Sequence, residues 1–309
     1  MDGREMKYRV QLALDEETDG SFLDEKTVYD YINEGALEIA RKTNALTSTQ
    51  SITTVADQTG YTINADFLSL YLKDKSGDFF IKYNDGTSNH FIRWGSYEDI
   101  ILYDDTTSVL IPSNFSITDD PTLDSKVSGT ETSGGTKSSS SGEATLTDSA
   151  ADFSDVSSGD VVHNTTDSSS GVVVSKTSST VLVTALFPDD PSATTDSDWD
   201  ASDAYVIQPQ GRFRIVLNPP PSTAGHTITL YYVQKPAPVY SNFGTFRYPQ
   251  HLDLATVKYA AWLFKYKDRE PNFADKLYMM AEMEMRRGKH GVDKALVRSK
   301  VRVNMLARD

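Results

Sequence analysis

From Ser128 to Leu146 the chain reads SGTETSGGTKSSSSGEATL, and fourteen of these nineteen residues are Ser, Gly or Thr. Almost no side chain in this stretch can enter a core, and the composition is that of a flexible linker. It divides the apolar pattern of a 309-residue chain into two parts, neither with a self-sufficient core. The parts must therefore close on each other across an insertion. After the linker come the brief β-prone runs TLTDSAADF, GDVVHNTT, SGVVVSKTSSTVLVTALF and DAYVIQP, separated by Asp/Ser/Gly turns. They predict a small antiparallel β module whose core is Phe153, Val162, Val173, Leu182, Trp199 and Tyr205. A core of that size is marginal, so the module is expected to lean on another element.

Outside the insertion the N-terminal part has helical spacing. Met6, Val10, Ala13 and Leu14 mark a first helix, and Val28, Ile32, Ala36, Ile39 and Ala40 mark a second, capped by Asp24 and stopped at Asn44. Gly35 inside that helix costs about 1 kcal/mol against alanine, which predicts close approach by a neighbour. Short β-like runs follow from Ser51, with Thr59-Gly60 as a turn and Tyr61, Ile63, Phe67, Leu68 and Leu70 as core. Phe213, Ile215 and Leu217 alternate, as do Ile228, Leu230 and Tyr232. Joined by the Pro-rich residues 218–225, they predict a hairpin. Leu252, Ala255, Tyr259, Leu263 and Tyr266 line a buried helix. Pro271, Phe273, Leu277, Met280 and Gly288 outline another, in which Met279, Met280, Met283 and Met285 are assigned to packing.

The expected fold class is therefore α+β: a helical bundle of N- and C-terminal helices with a small antiparallel β region, a nested all-β insertion and an extended C-terminal tail. The expected division is a core of residues 1–127 and 209–290, an inserted module at 128–208 and a tail at 291–309.

The tail carries the sharpest charge contrast. The chain has a formal net charge of -14; residues 128–208 carry -11 and residues 286–309 carry +6. In VRSKVRVNMLARD, Val297, Ser299, Val301, Val303 and Met305 fall on one face of an extended chain, and Arg298, Lys300, Arg302 and Asn304 on the other. With no sequence after it to form a hairpin, this segment is expected either to return to its own fold as an edge strand or to dock on another molecule. The charge contrast favours docking on an acidic protein surface, through Val297, Arg298, Lys300, Val301, Arg302, Val303 and Met305. An acidic body repels phosphate, which argues against general nucleic-acid binding. Charges within MDGREMKYRVQLALD predict no signal peptide, and no apolar run is long enough to span a membrane.

Catalytic patterns are missing from the sequence: it has no Gly-rich phosphate loop, HExxH or GxSxG. With no cysteine, it has no disulfide or thiolate site either. The run Asp196–Asp203 alternates carboxylates but has Ala201 and Ile207 where a calcium loop needs Gly and Glu, so an acidic turn is expected. The five histidines, His90, His163, His226, His251 and His290, share no ligand spacing. No cofactor, metal or catalytic group is expected.

Four stretches in order resemble the head-to-tail adaptor (connector) proteins of tailed bacteriophages. They are VYDYINEGALEIARKTNAL, TGYTINADFLSL, RIVLNPPPSTAGHTITLYYVQKP and PQHLDLATVKYAAWLFKYKDREPNFADKLYMMAEMEM. Asn64 and Ala65 stand where the family commonly has Leu-Pro, and the insertion, similar to a β module appended to phage structural proteins, departs from the compact pattern. The resemblance implies a structural virion protein without enzymatic activity, assembled in the host cytoplasm and placed in the neck. It implies a homo-oligomeric ring of about twelve subunits, bound to the portal protein above and to other tail or neck proteins (nozzle or tail tube) below. Genome DNA would pass through its channel without sequence-specific binding, and no membrane is involved. Two other readings are a peptidoglycan-degrading, muramidase-like virion enzyme, which needs two carboxylates in a cleft, and a carbohydrate- or receptor-binding tail component acting through the β module.

Overall fold

The structure, a computed structural model, describes residues 1–14, 24–74, 76–98, 107–120, 126–190, 197–267 and 272–287. Among the described residues the long helices are α1 (Gly3–Leu14), α2 (Glu25–Thr43), α3 (Asp253–Lys267) and α4 (272–287). Fourteen strands accompany them. In the first half these are β1 (Thr47–Thr53), β2 (Gly60–Thr62), β3 (Phe67–Leu70), β4 (Phe80–Asn84), β5 (Asn89–Trp94), β6 (Asn114–Asp119) and β7 (Val127–Thr130). The second half adds β8 (Ala144–Thr147), β9 (Val161–Asn164), β10 (Ser169–Ser178), β11 (Val181–Pro188), β12 (Ala204–Gln208), β13 (Phe213–Asn218) and β14 (Thr227–Gln234).

The protein is thus mostly β, which corrects the expected helical bundle with a small β region. One curled sheet has eight strands in the order β1-β14-β4-β5-β6-β13-β2, with β3 on β14; the other has six in the order β7-β12-β9-β10-β11-β8. Strands such as β1, TSTQSIT, carry mainly polar side chains, and their weak alternation hid how much of the chain is extended. The expected hairpin also fails. β13 pairs with β6 and β2, whereas β14 pairs with β1, β3 and β4. Alternation decides which face of a strand is buried, not which strand lies beside it. Nor is the Ser/Gly/Thr stretch a plain linker, because β7 and β8 take up its two ends.

The described residues fall into two compact units. One comprises Thr47–Lys126 and Gln208–Lys235, and so holds the eight-stranded sheet. Its core is Tyr61, Ile63, Phe67, Ile81, Tyr83, Ile92, Phe115, Ile215, Leu217, Ile228, Leu230 and Tyr232. The end strands β1 and β2 are bridged by Gln50, whose Nε2 donates to the Thr62 carbonyl (3.2 Å) and whose Oε1 accepts from the Asn64 amide (2.9 Å).

The second unit joins the helices to the six-stranded sheet. In α2, Asp24 accepts from the Thr27 amide, Asn44 ends the helix in a left-handed conformation (φ 51°), and Val28, Ile32, Ala36, Ile39 and Ala40 are buried. A Cβ on Gly35 would stand 3.2 Å from both the Thr256 carbonyl oxygen and Tyr259 Cδ1, so its absence lets α2 lie close on α3. The β module contributes Ala185 and Phe187 to the same apolar cluster as the helices, which is the support its small core needs. Within the module, Phe153, Val162, Val173, Leu182, Trp199 and Tyr205 form one core as expected.

Candidate functional site

The seven predicted docking residues, Val297, Arg298, Lys300, Val301, Arg302, Val303 and Met305, lie outside the described residues. The helix before them is described. α4 buries Ala274, Leu277, Ala281 and Met285, and the Tyr278 ring packs at a tilt against those of Tyr259 and Trp262 of α3. Its remaining apolar side chains point the other way. Phe273 is 44% exposed, Met279 64%, Met280 45% and Met283 50%.

This corrects the assignment of the methionines to packing: of the four, Met285 alone is buried. The buried stripe runs through the small residues Ala274 and Ala281 together with Leu277, not through the expected Phe273, Leu277 and Met280. At helical spacing Phe273, Met280 and Met283 lie along one outward strip with Lys276 and Arg287. Flexible, polarizable thioethers suit a surface that adapts to a partner. Tyr266 of α3, expected inside, is also exposed.

A second exposed patch lies on the eight-stranded sheet. β4 pairs with β5 so that Phe80 faces Arg93, Lys82 faces Phe91 and Asn84 faces Asn89. The intervening Ile81, Tyr83 and Ile92 point inward and are buried. Phe91 is 66% exposed, and its ring meets that of Phe80 edge to face with centroids 5.2 Å apart.

The remaining polar clusters are tied up locally. Asn164 Nδ2 donates to Asp167 Oδ2 (3.0 Å), to Asp203 Oδ2 (2.9 Å) and to the Asp198 carbonyl (3.2 Å), while Asp203 also accepts from the Asp200 amide (2.7 Å). The run Asp196–Asp203, whose first residue lies outside the described set, thus fixes its own turn. Among the described residues no group of three His, Asp or Glu side chains is placed to hold a metal ion. Burial, and then the Asp203 charge beside it, pushes the Asp167 carboxyl upward.

A raised carboxylate favours folding while protonated, and that contribution is lost as pH rises through its folded value. Asp167→Asn, which keeps an oxygen for Asn164, is therefore expected to melt higher than the parent at pH 7. The gain should shrink toward pH 3; a gain equal at both pH values would remove the acid pair as its cause.

Histidines are equally local: His90 Nε2 meets Asp85 (2.9 Å), His163 Nδ1 meets Ser170 Oγ (3.0 Å) and His226 Nδ1 meets Tyr83 Oη (2.8 Å). A cleft of about 290 Å³ is lined by Glu25, Lys137, Ser138, Phe187, Tyr240 and Asn242, among others. Its polar groups are already engaged: Lys137 Nζ donates to Ser197 Oγ and the Leu186 carbonyl, Tyr240 Oη to Asp30, and Asn242 Nδ2 to the Ser140 carbonyl.

No protein-family model matches the chain, and no curated protein matches it. Among the described residues no helix is long and apolar enough to cross a membrane.

Proposed function

We propose that this chain is a structural head-to-tail adaptor of a tailed-phage neck, which binds the portal through its C-terminal tail and assembles there as a ring of about a dozen copies. The observation that carries the reading is the outward Phe273, Met279, Met280 and Met283 face of α4, and in the sequence a basic, alternating segment follows that helix. The C-terminal part of the chain is built for contact, and the four family-like stretches say with what. Portal above, nozzle or tail tube below, DNA in the lumen and a virion location follow from the same resemblance and belong to the proposal.

Net charge of -14 makes copies repel, so the free chain is expected to sediment as a monomer at micromolar concentration and to close into a ring only on its template. Mixing the full chain with the purified portal and viewing the product by electron microscopy tests this. A second ring beneath the portal is the expected result. A portal unchanged by excess chain, or a stable ring formed without portal, would overturn it.

A further inference from the structure

We infer that the outward face of β4 and β5 is a binding platform for single-stranded nucleic acid. The inference goes beyond the adaptor reading, in which nucleic acid passes without being held, and it does not depend on that reading.

The face is a checkerboard fixed by strand register. Phe80 stands opposite Arg93 and Lys82 opposite Phe91, so the two rings occupy one diagonal and the two cations the other. Asn84 and Asn89 close the row, Asn84 Nδ2 donating to Asn89 Oδ1 (2.8 Å). These six outward side chains include two positive charges and no carboxylate, on a chain that is otherwise acidic. The next strand, β14, brings Thr227 and Thr229 level with Asn84 and Lys82, with Tyr231 farther along the same face.

An unstacked base can lie on an exposed aromatic ring, and any base will do because each has a π-face. Phe91, 66% exposed and braced at its edge by Phe80, offers such a ring. Lys82 and Arg93 flank it where a backbone phosphate would run. Arg93 Nε also meets Asp74 (3.3 Å), which orients it while 62% of its side chain remains in solvent. Amides and hydroxyls on the same face have the donors and acceptors that base edges use. A duplex fits poorly, because its bases are stacked on each other and unavailable to the ring.

The test is fluorescence anisotropy of the full chain with labelled oligothymidylate, oligouridylate and a duplex of the same length, about a dozen nucleotides. Single strands should bind, and bind tighter than the duplex. The two single strands separate a DNA from an RNA ligand, and binding of either supports the platform. Two phosphate contacts predict a slope of about -1.4 in the logarithm of affinity against that of salt concentration. Lys82→Gln should roughly halve that slope. Phe91→Ala, at an exposed site that should leave the melting temperature unchanged, should weaken binding roughly 5- to 160-fold. No binding by the parent at low salt, or binding indifferent to Phe91→Ala, would overturn the inference. So would a Phe91→Ala variant that alters sedimentation but not oligonucleotide binding, since the patch would then be a protein contact.

Discussion

Replacing Glu131 by alanine is expected to lower stability by several kcal/mol, the largest loss from any single side chain considered. β7 and β8 are the two end strands of the six-stranded sheet, and Glu131 follows β7 directly. Its side chain is where the curled sheet closes. One carboxylate oxygen, Oε1, accepts from the Ser133 amide (2.9 Å), the Gly134 amide (3.0 Å) and Ser133 Oγ (3.2 Å). The other, Oε2, accepts from the amide of Thr147 at the end of β8. The residue is 2% exposed, so water cannot readily replace it.

Alanine would leave three backbone donors without their acceptor, at about 1 kcal/mol for each, the low end for an unpaired group because Ser133 and Gly134 are exposed. A total of about 3 kcal/mol corresponds to a melting temperature lower by roughly 6–12 °C in a unit of this size. Glu131→Gln should fall between, because its oxygen can still serve the 133–134 turn while its NH₂ would face the Thr147 donor. Gln50, which bridges the end strands of the other sheet, is half-buried and makes two neutral hydrogen bonds, so Gln50→Ala should cost only about 1 kcal/mol. Thermal melts of the three variants decide the matter. Glu131→Ala melting within 2 °C of the parent would mean that the bonds from Thr132 N–H and Oγ1 to the Thr147 carbonyl hold the seam without it.

Glu131 also shows where sequence reading stops. It sits in a stretch that is three-quarters Ser, Gly and Thr, and its role depends on Thr147, sixteen residues on, arriving beside it. What was legible was local. Asp24, Asn44 and the Val28–Ala40 stripe define α2 within one segment, and Gly35 announced the approach of α3 without naming it. The module core was legible because Phe153, Val162 and Trp199 are large apolar residues among Ser, Thr and Asp, with few alternative places to go.

Strand neighbours were not legible. Phe213, Ile215 and Leu217 alternate whether β13 lies beside β14 or, as it does, beside β6 and β2. The patch on β4 and β5 escaped notice because Phe80, Lys82, Phe91 and Arg93 become a pattern only in register. The α4 face was hidden differently: half of the buried stripe is alanine, Ala274 and Ala281, while Phe273, Met279, Met280 and Met283 are exposed, the reverse of what a hydrophobicity scale suggests. A surplus of large apolar residues over what one stripe can bury was the available signal.

Truncation after Gly291 is expected to abolish portal binding while sparing the fold. The removed segment holds all seven predicted docking residues, and the helix before it buries Ala274, Leu277, Ala281 and Met285 in the cluster it shares with the other helices. The two faces of the segment should fail differently. Val301→Asp or Val303→Asp puts a charge on the side meant for burial, and should weaken docking by several kcal/mol at any salt concentration. Val297 and Met305 lie on that same side and should tolerate only apolar replacement. Arg298→Ala combined with Arg302→Ala removes cations that act through screened attraction, so its effect should be large at low salt and fade as salt rises, with Lys300→Ala adding to it. Portal binding and thermal melting, measured on the same proteins, separate docking from folding. A truncated chain that melts far below the parent yet still binds the portal would place the tail in its own fold, and would leave the outward face of α4 as the contact through which the portal is held.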